Sequence, residues 1–373
     1  MHLSYWEKKE LYNPNQIIII GSGIVGLTTA IYIKEKDPKL PVLILERGSL
    51  PLGASTKNAG FACFGSVSEI LDDLTRMEER EVIQLIGNRI KGLSRLLSIV
   101  DPSEIEYSNT GGYEVFSEDQ EMLYSNCLEN INKCNDLVES AAGFRETFQL
   151  IESNGAVAND MNIIYNPYEG MLNPFKMVSQ LIKKAKSMGV LIVNNQEVQS
   201  VDRNSKVLST DHLSEISYHK LVICTNGFAR KIFNELQVHP VRNQVLMTQP
   251  IDGLKLEGCY HYNQGYVYFR NYQGRLLLGG GRNIALHEES TDVFGNTDTI
   301  QSFLMNFLYD VIGISKAIKV DHWWSGILGV GPVKSTIIDE YHPDHFLGVR
   351  MGGMGVALGS EVGHKLASLV VMN

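Results

Sequence analysis

Three glycines and a carboxylate carry the first chemistry legible in this chain of 373 residues. Gly21-Ser22-Gly23-Ile24-Val25-Gly26 follows Gln16 and four consecutive isoleucines, and it opens a helical stretch that runs to about Lys36. The first glycine allows a tight turn, the second lets the backbone approach a pyrophosphate, and the third lets the helix pack on the strand. Open N–H groups and the positive end of such a helix hold phosphate. Pro41 to Leu45 reads as a second buried strand. It ends on Glu46, twenty residues past Gly26, where a carboxylate accepts ribose hydroxyls. A glycine turn alone also closes strand–helix–strand units that hold no nucleotide. Nor do these residues by themselves separate a nicotinamide from a flavin dinucleotide.

The next loop does. Gly53-Ala54-Ser55-Thr56-Lys57-Asn58-Ala59-Gly60-Phe61 is small, polar and turn-rich, too irregular for a strand or helix. Such a segment can run under an extended cofactor and donate backbone N–H groups to ring heteroatoms. Here the chain resembles the D-amino-acid oxidase / glycine oxidase / sarcosine oxidase family of FAD-dependent oxidoreductases, in which a GAS-x-x-NAG loop wraps the flavin. The resemblance continues in order through Gly111-Gly112-Tyr113, Val222 to Gly227, and the cluster Met351-Gly352-Gly353-Met354-Gly355. It implies FAD held by Gly21 to Gly26, Glu46 with Arg47, and Ser55 to Gly60. Val198, Thr225-Asn226-Gly227 and Gly352 to Val356 complete that set. In the family the last strand–glycine–helix unit lies beside the pyrimidine end of the flavin. There, helix N–H groups stabilise the negative charge of the reduced ring.

A second group of side chains suits a substrate. Tyr266-Val267-Tyr268-Phe269-Arg270 alternates after Tyr260-His261-Tyr262, and Gln273-Gly274 turns into Arg275-Leu276-Leu277-Leu278, an antiparallel hairpin. Period two puts Tyr266, Tyr268 and Arg270 on one face, free to meet a ligand, with Val267 and Phe269 on the other. The planar fork of Arg270 suits a carboxylate. An arginine at a hairpin end is equally at home on the surface. The resemblance places this face over the flavin ring and makes Arg270, Tyr268 and Tyr266 the catalytic-pocket residues.

The chain departs from the family in three places. Many members carry an arginine in a G-[FL]-R-P motif before the final strand, but Trp324 to Pro332 contains none. Met354 stands where amine-oxidising relatives often have histidine. The missing arginine favours another amine, or a carboxylate held elsewhere, and Met354 further blurs the substrate class. Covalent flavin in the family hangs from a cysteine in the last segment. No cysteine follows Cys259, so the expectation is non-covalent FAD. Cys63 is expected to be a small buried residue.

These residues need elements to position them. Residues 68–100 are helical in pattern, 119–153 again, and Pro174 starts a helix running to about Met188. Gly189 to Val193 reads as a parallel strand, a charged strand pair runs through Asp202 and Ser217, and Leu221 to Gly227 is a buried strand ending on a polar turn. The expected fold is a two-domain α/β flavoprotein. A Rossmann-like, glutathione-reductase-type FAD domain comes from 1–70, 171–229 and 323–373. An α+β substrate domain with an antiparallel sheet comes from 71–170 and 230–322.

Bulk properties exclude other classes. Apolar content of 44% and charged content of 20% are ordinary for a globular chain. A net charge of −9 with no clustered Lys/Arg run argues against nucleic acid or an anionic membrane. No apolar run approaches a membrane span, and Met1 to Asn15 lacks the apolar core of a secretory signal. Cysteines 63, 127, 134, 224 and 259 show no paired spacing, which fits free thiols and a cytoplasmic protein. His342-Pro343-Asp344-His345 is turn chemistry, and no metal is expected. The reaction expected from the resemblance is oxidation of a C–N bond in a small amine or amino acid. Hydride passes to flavin N5, an imine forms, and O2 or a quinone or other carrier reoxidises the flavin. A dehydrogenase of 2-hydroxy acids or similar C–O substrates stays open, as does a flavin-binding protein without turnover.

Overall fold

The computed structural model describes residues 3–152 and 161–372. Its framework is a six-stranded sheet in the order Ile337–His342, His345–Val349, Lys220–Ile223, Ile17–Ile20, Val42–Leu45, Leu191–Val193. All neighbours are parallel except the antiparallel edge strand Ile337–His342. The isoleucine run explains the centre. Ile17 and Ile19 join the core on one face, Ile18 and Ile20 the core on the other, and none is more than 5% exposed. Only a strand covered on both sides needs apolar residues at every position.

One face is covered by the helix Ile24–Lys36 and the terminal helix Gly355–Met372. Their close approach needs small residues. A Cβ on Gly363 would lie 2.1 Å from Thr28 Oγ1, and one on Gly359 would lie 2.5 Å from Ile24 Cγ2.

The second sheet has eight strands in the order Val320–Val330, His239–Thr248, Arg275–Gly280, Val267–Tyr272, Cys259–Tyr262, Gly112–Phe116, Asn162–Asn166, Gln149–Ile151. It is antiparallel throughout, apart from the parallel pair Cys259–Tyr262 and Gly112–Phe116. The hairpin alternates as its sequence predicts: Val267 and Phe269 enter the core of this sheet. A mixed α/β fold with a parallel and an antiparallel sheet is therefore present, as expected.

Several boundaries differ from expectation. The helix expected over 68–100 is two, Val67–Leu74 and Glu79–Ile99, because Ser66 and Glu78 each start a helix with a capping box. The helix expected over 119–153 runs Glu121–Ala142 and stops where Gly143 takes φ 75°. Gln149–Ile151 is then a strand, and residue 153 lies outside the described residues. Residues 323–330 belong to the antiparallel sheet. They pair with His239–Thr248 over almost their whole length, so the chain changes sheet after Val330 rather than at 323. The loop after Gly53 contains a 3₁₀ turn, Ala54–Thr56. The charged strand pair is a three-stranded sheet, Val198–Asp202, Val207–Thr210 and Ile216–Ser217.

Candidate active site

A cleft enclosing about 1160 Å³ opens at the carboxyl ends of the central parallel strands, where ligands of such sheets bind. Gly21 turns there with φ 102°, and a Cβ on Gly26 would sit 2.0 Å from the Gly21 carbonyl, so the helix end lies tight against the turn. The Ile24 N–H donates to Ser55 Oγ at 3.0 Å, while Val25 carries one of the N–H groups that a first helical turn leaves open. Glu46 is buried and fixed. Its Oε2 accepts from Ser22 N at 3.0 Å and Ser22 Oγ at 2.8 Å, and its Oε1 accepts from Gly48 N at 3.1 Å. Leu52 N also donates to Oε1, at 3.4 Å, so the two oxygens already hold four donors and a ribose hydroxyl would have to share an oxygen with, or displace, that long contact.

Beyond Glu46 the guanidinium of Arg47 lies 3.9 Å over the Phe228 ring, and Val198 and Gln196 also line the cleft. Thr225 Oγ1 is buried on the cleft without a hydrogen-bond partner among the described residues, an orphan that a bound ligand would satisfy. The set fits the adenosine and pyrophosphate of a dinucleotide. Gly227 does not line the cleft; it packs on the Leu328 carbonyl. Ser22 acts through Glu46, and Thr56 Oγ1 is turned to the Pro51 carbonyl at 2.9 Å.

The cleft continues into a second cavity of about 1300 Å³, with Ala54, Asn58, Leu328, Gly353 and Val356 on both walls. Four distant segments are bonded together at the junction. Trp324 Nε1 donates to the Lys57 carbonyl at 2.9 Å, Gly352 N to the Gly329 carbonyl at 3.0 Å, and Arg350 N and Met351 N to Asn226 Oδ1. Asn58 braces its own loop, donating to the Ala54 and Ser55 carbonyls and accepting from Gly60 N. A long, continuous groove walled by the irregular loop on one side and the terminal glycine turn on the other has the shape an FAD requires. Met354 faces the second cavity, as do Cys63 and Lys57.

Tyr266 and Tyr268 line this cavity, as their alternation predicts. Burial pushes the Tyr268 phenol up to about 12, so it stays a neutral hydroxyl; its oxygen accepts from Asn243 Nδ2 at 3.4 Å. Arg270 is a correction. It is 3% exposed and lies neither on the surface nor on the cavity wall. Its Nη2 donates to the Leu172 carbonyl at 3.0 Å directly beneath Gly60, and Nε has no partner. The strand dives under the flavin loop, so the third residue of the face is covered.

The cation at the tyrosine end is one the sequence reading passed over. Arg282 follows Gly280 and Gly281 (φ 114° and 79°) and lies 5.2 Å over the Tyr266 ring. Among the described residues neither Arg282 nor Lys57 makes an ion pair. Every other cation of the cavity has a carboxylate: Lys334 with Asp72 and Asp73, Arg89 with Asp73, His261 with Glu169 at 3.0 Å. Burial opposes the charge on His261, but Glu169, and then Glu69, outweigh it and lift the imidazole to about 10. These residues come from separate helices, strands and turns, and no short motif joins them. The one local sign was an arginine closing the run Gly279-Gly280-Gly281.

All five cysteines are free and buried. His342 and His345 belong to the edge of the parallel sheet, where His345 bonds Tyr218 Oη at 2.8 Å. Among the described residues no helix is long and apolar enough to cross a membrane.

Comparison with known proteins agrees with this geometry. The probable oxidoreductase OrdL of Haemophilus influenzae is 20% identical, across 95% of this chain and 82% of that protein. The L-2-hydroxyglutarate dehydrogenase of Escherichia coli is 24% identical over 60% of this chain, and the alignment spans half of that enzyme's length. The crystal structure of glycine oxidase from Geobacillus kaustophilus superposes with a TM-score of 0.77, covering 96% of this chain and 95% of that one at 17% identity. The sequence model of the FAD dependent oxidoreductase family, DAO, matches residues 16–369. The glycine turn, the buried Glu46 carboxylate and the Gly53–Phe61 loop on one continuous groove are thus accounted for by descent: the chain belongs to the DAO family of FAD-dependent oxidoreductases.

Proposed function

We propose that this enzyme oxidises the C–N bond of a small amine that carries a carboxylate, giving an imine that hydrolyses. The observation that supports this reading is Arg282, a guanidinium without an ionic partner at the tyrosine end of the flavin cavity. An uncompensated cation in a half-closed cavity is stabilised by an anionic ligand, and its fork matches a carboxylate. FAD, when bound, accepts the hydride and supplies the redox chemistry. The protein's share is placement. Gly21 to Gly26, Ser22 with Glu46, the Ser55–Gly60 loop and Gly352 to Val356 would hold the cofactor, without a covalent link. Tyr266 and Tyr268 would wall the substrate, and O2 or a quinone or other carrier would take the electrons. Glycine oxidase, a structural relative, acts on an amino acid by its name.

A 2-hydroxy acid presents the same carboxylate, and the hydroxyglutarate dehydrogenase among the sequence relatives favours that second reading. An anaerobic screen of amines, D- and L-amino acids, N-methyl amino acids and hydroxy acids separates the two by which class bleaches the flavin. Against the best substrate, Arg282→Ala should weaken apparent binding by about 1.5–3 kcal/mol, the range for hydrogen bonds to charged groups. Arg282→Lys should recover only part of it. Unchanged binding in Arg282→Ala would remove the carboxylate from the substrate's description.

A further inference from the structure

The cavity's positive end has a counterpart. Glu69 sits on the helix Val67–Leu74 and its carboxylate lines the same cavity. Its two oxygens are in different situations. Oε2 closes the capping box, accepting from Ser66 N at 3.1 Å, and lies 4.0 Å from His261 Nδ1. Oε1 accepts no hydrogen bond among the described residues and lies against the backbone of Gly265, where an added Cβ would come within 2.7 Å of it. Gly265 has φ 74° and precedes Tyr266, whose carbonyl accepts from Gly281 N at 2.9 Å. So a carboxylate oxygen without a hydrogen bond lies at Gly265, and a guanidinium without an ion pair lies over the ring of the next residue, Tyr266. That is a recognition pair for a zwitterion.

Building on the carboxylated-amine reading, we infer that Glu69 receives the substrate's ammonium group and takes its proton. In this step one N–H bond of the ammonium breaks, an O–H bond forms on Oε1, and the electron pair stays on nitrogen. No oxidant is consumed. The step matters because an ammonium has no lone pair with which to form the second bond of an imine, whereas the neutral amine does. Removing a proton with a positioned carboxylate is general base catalysis, worth typically a hundredfold or more.

Several charged groups surround this carboxylate. His261 faces it from the strand Cys259–Tyr262 and Lys334 from the turn after Val330. Arg89 on the helix Glu79–Ile99 is taken by Asp73, as Lys334 is by Asp72 and Asp73. On the far side, Glu114 lies buried with Ser66 and Ser68. Burial first, and then repulsion from Glu69, push its carboxyl up to about 7. Below neutrality Glu114 is therefore uncharged and leaves Glu69 as the nearer anion. The neighbouring cations are shared with other acids, so Oε1 remains available to an incoming ammonium.

Two measurements on the FAD-loaded enzyme test this. Trimethylglycine and 3,3-dimethylbutanoate have the same shape and carboxylate, and only the first is cationic. Titrated against the flavin absorption spectrum, wild type should bind trimethylglycine at least tenfold more tightly, and Glu69→Gln should bind the two alike. Glutamine still completes a capping box, so the helix start survives the change. Equal affinities in wild type overturn the ammonium site while leaving Arg282 and the carboxylate standing. Failure of both acids to bind overturns the carboxylated-amine reading itself. The second measurement is the anaerobic rate of flavin reduction against pH with the best amine. Glu69→Gln should lose a hundredfold or more near pH 7 and regain rate as pH rises toward the amine's own pKa. A profile superimposable on wild type overturns the proton transfer.

Discussion

Arg270 and Arg282 show what a sequence yields at the scale of the residue. Alternation correctly assigns Tyr266, Tyr268 and Arg270 to one face of a strand, because side-chain direction is a local property with period two. Depth is not local. Whether a face meets a cavity or a covering loop depends on Gly60 and Leu172, which lie far from Arg270 in sequence and seal it. Arg282 escaped notice for the same reason: a cation becomes conspicuous only when its neighbours lack carboxylates. The two arginines should therefore behave oppositely to their sequence promise. Arg270→Lys should leave substrate KM within about twofold and lower thermal stability, since an ammonium in that buried slot cannot repeat the guanidinium's reach to the Leu172 carbonyl. Tyr268→Phe removes only a neutral hydroxyl and should cost far less than the hundredfold typical of a lost general base. Anaerobic stopped-flow reduction and thermal melts of the two variants check this. A large rise in KM for Arg270→Lys would return that residue to the substrate site.

At the scale of elements, the isoleucine run, the fingerprint helix and the aromatic hairpin were all legible, because each carries its own periodicity. The strand Val320–Val330 was not. Its residues read equally well as part of the returning first domain, and only its long pairing with His239–Thr248 assigns it to the antiparallel sheet. The Glu121–Ala142 helix was overrun because the αL turn at Gly143 was not weighed as a stop. The fingerprint makes a sharper prediction. Gly26→Ala places a methyl 2.0 Å from the Gly21 carbonyl, so the helix end must lift from the turn. The cost should be about 1–3 kcal/mol, as for other overpacked sites, with FAD lost on gel filtration. Gly53→Ala has nothing within 4 Å of the new methyl and should do neither. Full flavin retention by Gly26→Ala would show that close helix–turn packing does not govern cofactor binding.

For the molecule as a whole, family and cofactor were readable early, since the flavin loop and glycine clusters occur in a fixed order. The charge pattern of the substrate cavity, which assembles from widely separated regions of the chain, was not. Acid precipitation should release FAD into a yellow supernatant, because no cysteine follows Cys259; colour held in the pellet would mean a covalent bond from Cys63, which faces the cavity, or from another side chain. The junction of the groove has a kinetic consequence. Thr28 touches Gly359 across 331 positions of sequence, and the turns at Asn226, Gly329 and Gly352 meet only when the parallel sheet has closed. Such long-range closure is slow compared with ligand diffusion. The complete groove thus exists only once the sheet has closed. On dilution from denaturant, flavin capture should follow a single rate set by closure of the sheet, the same at low and high FAD. The cofactor locks a finished groove rather than templating it.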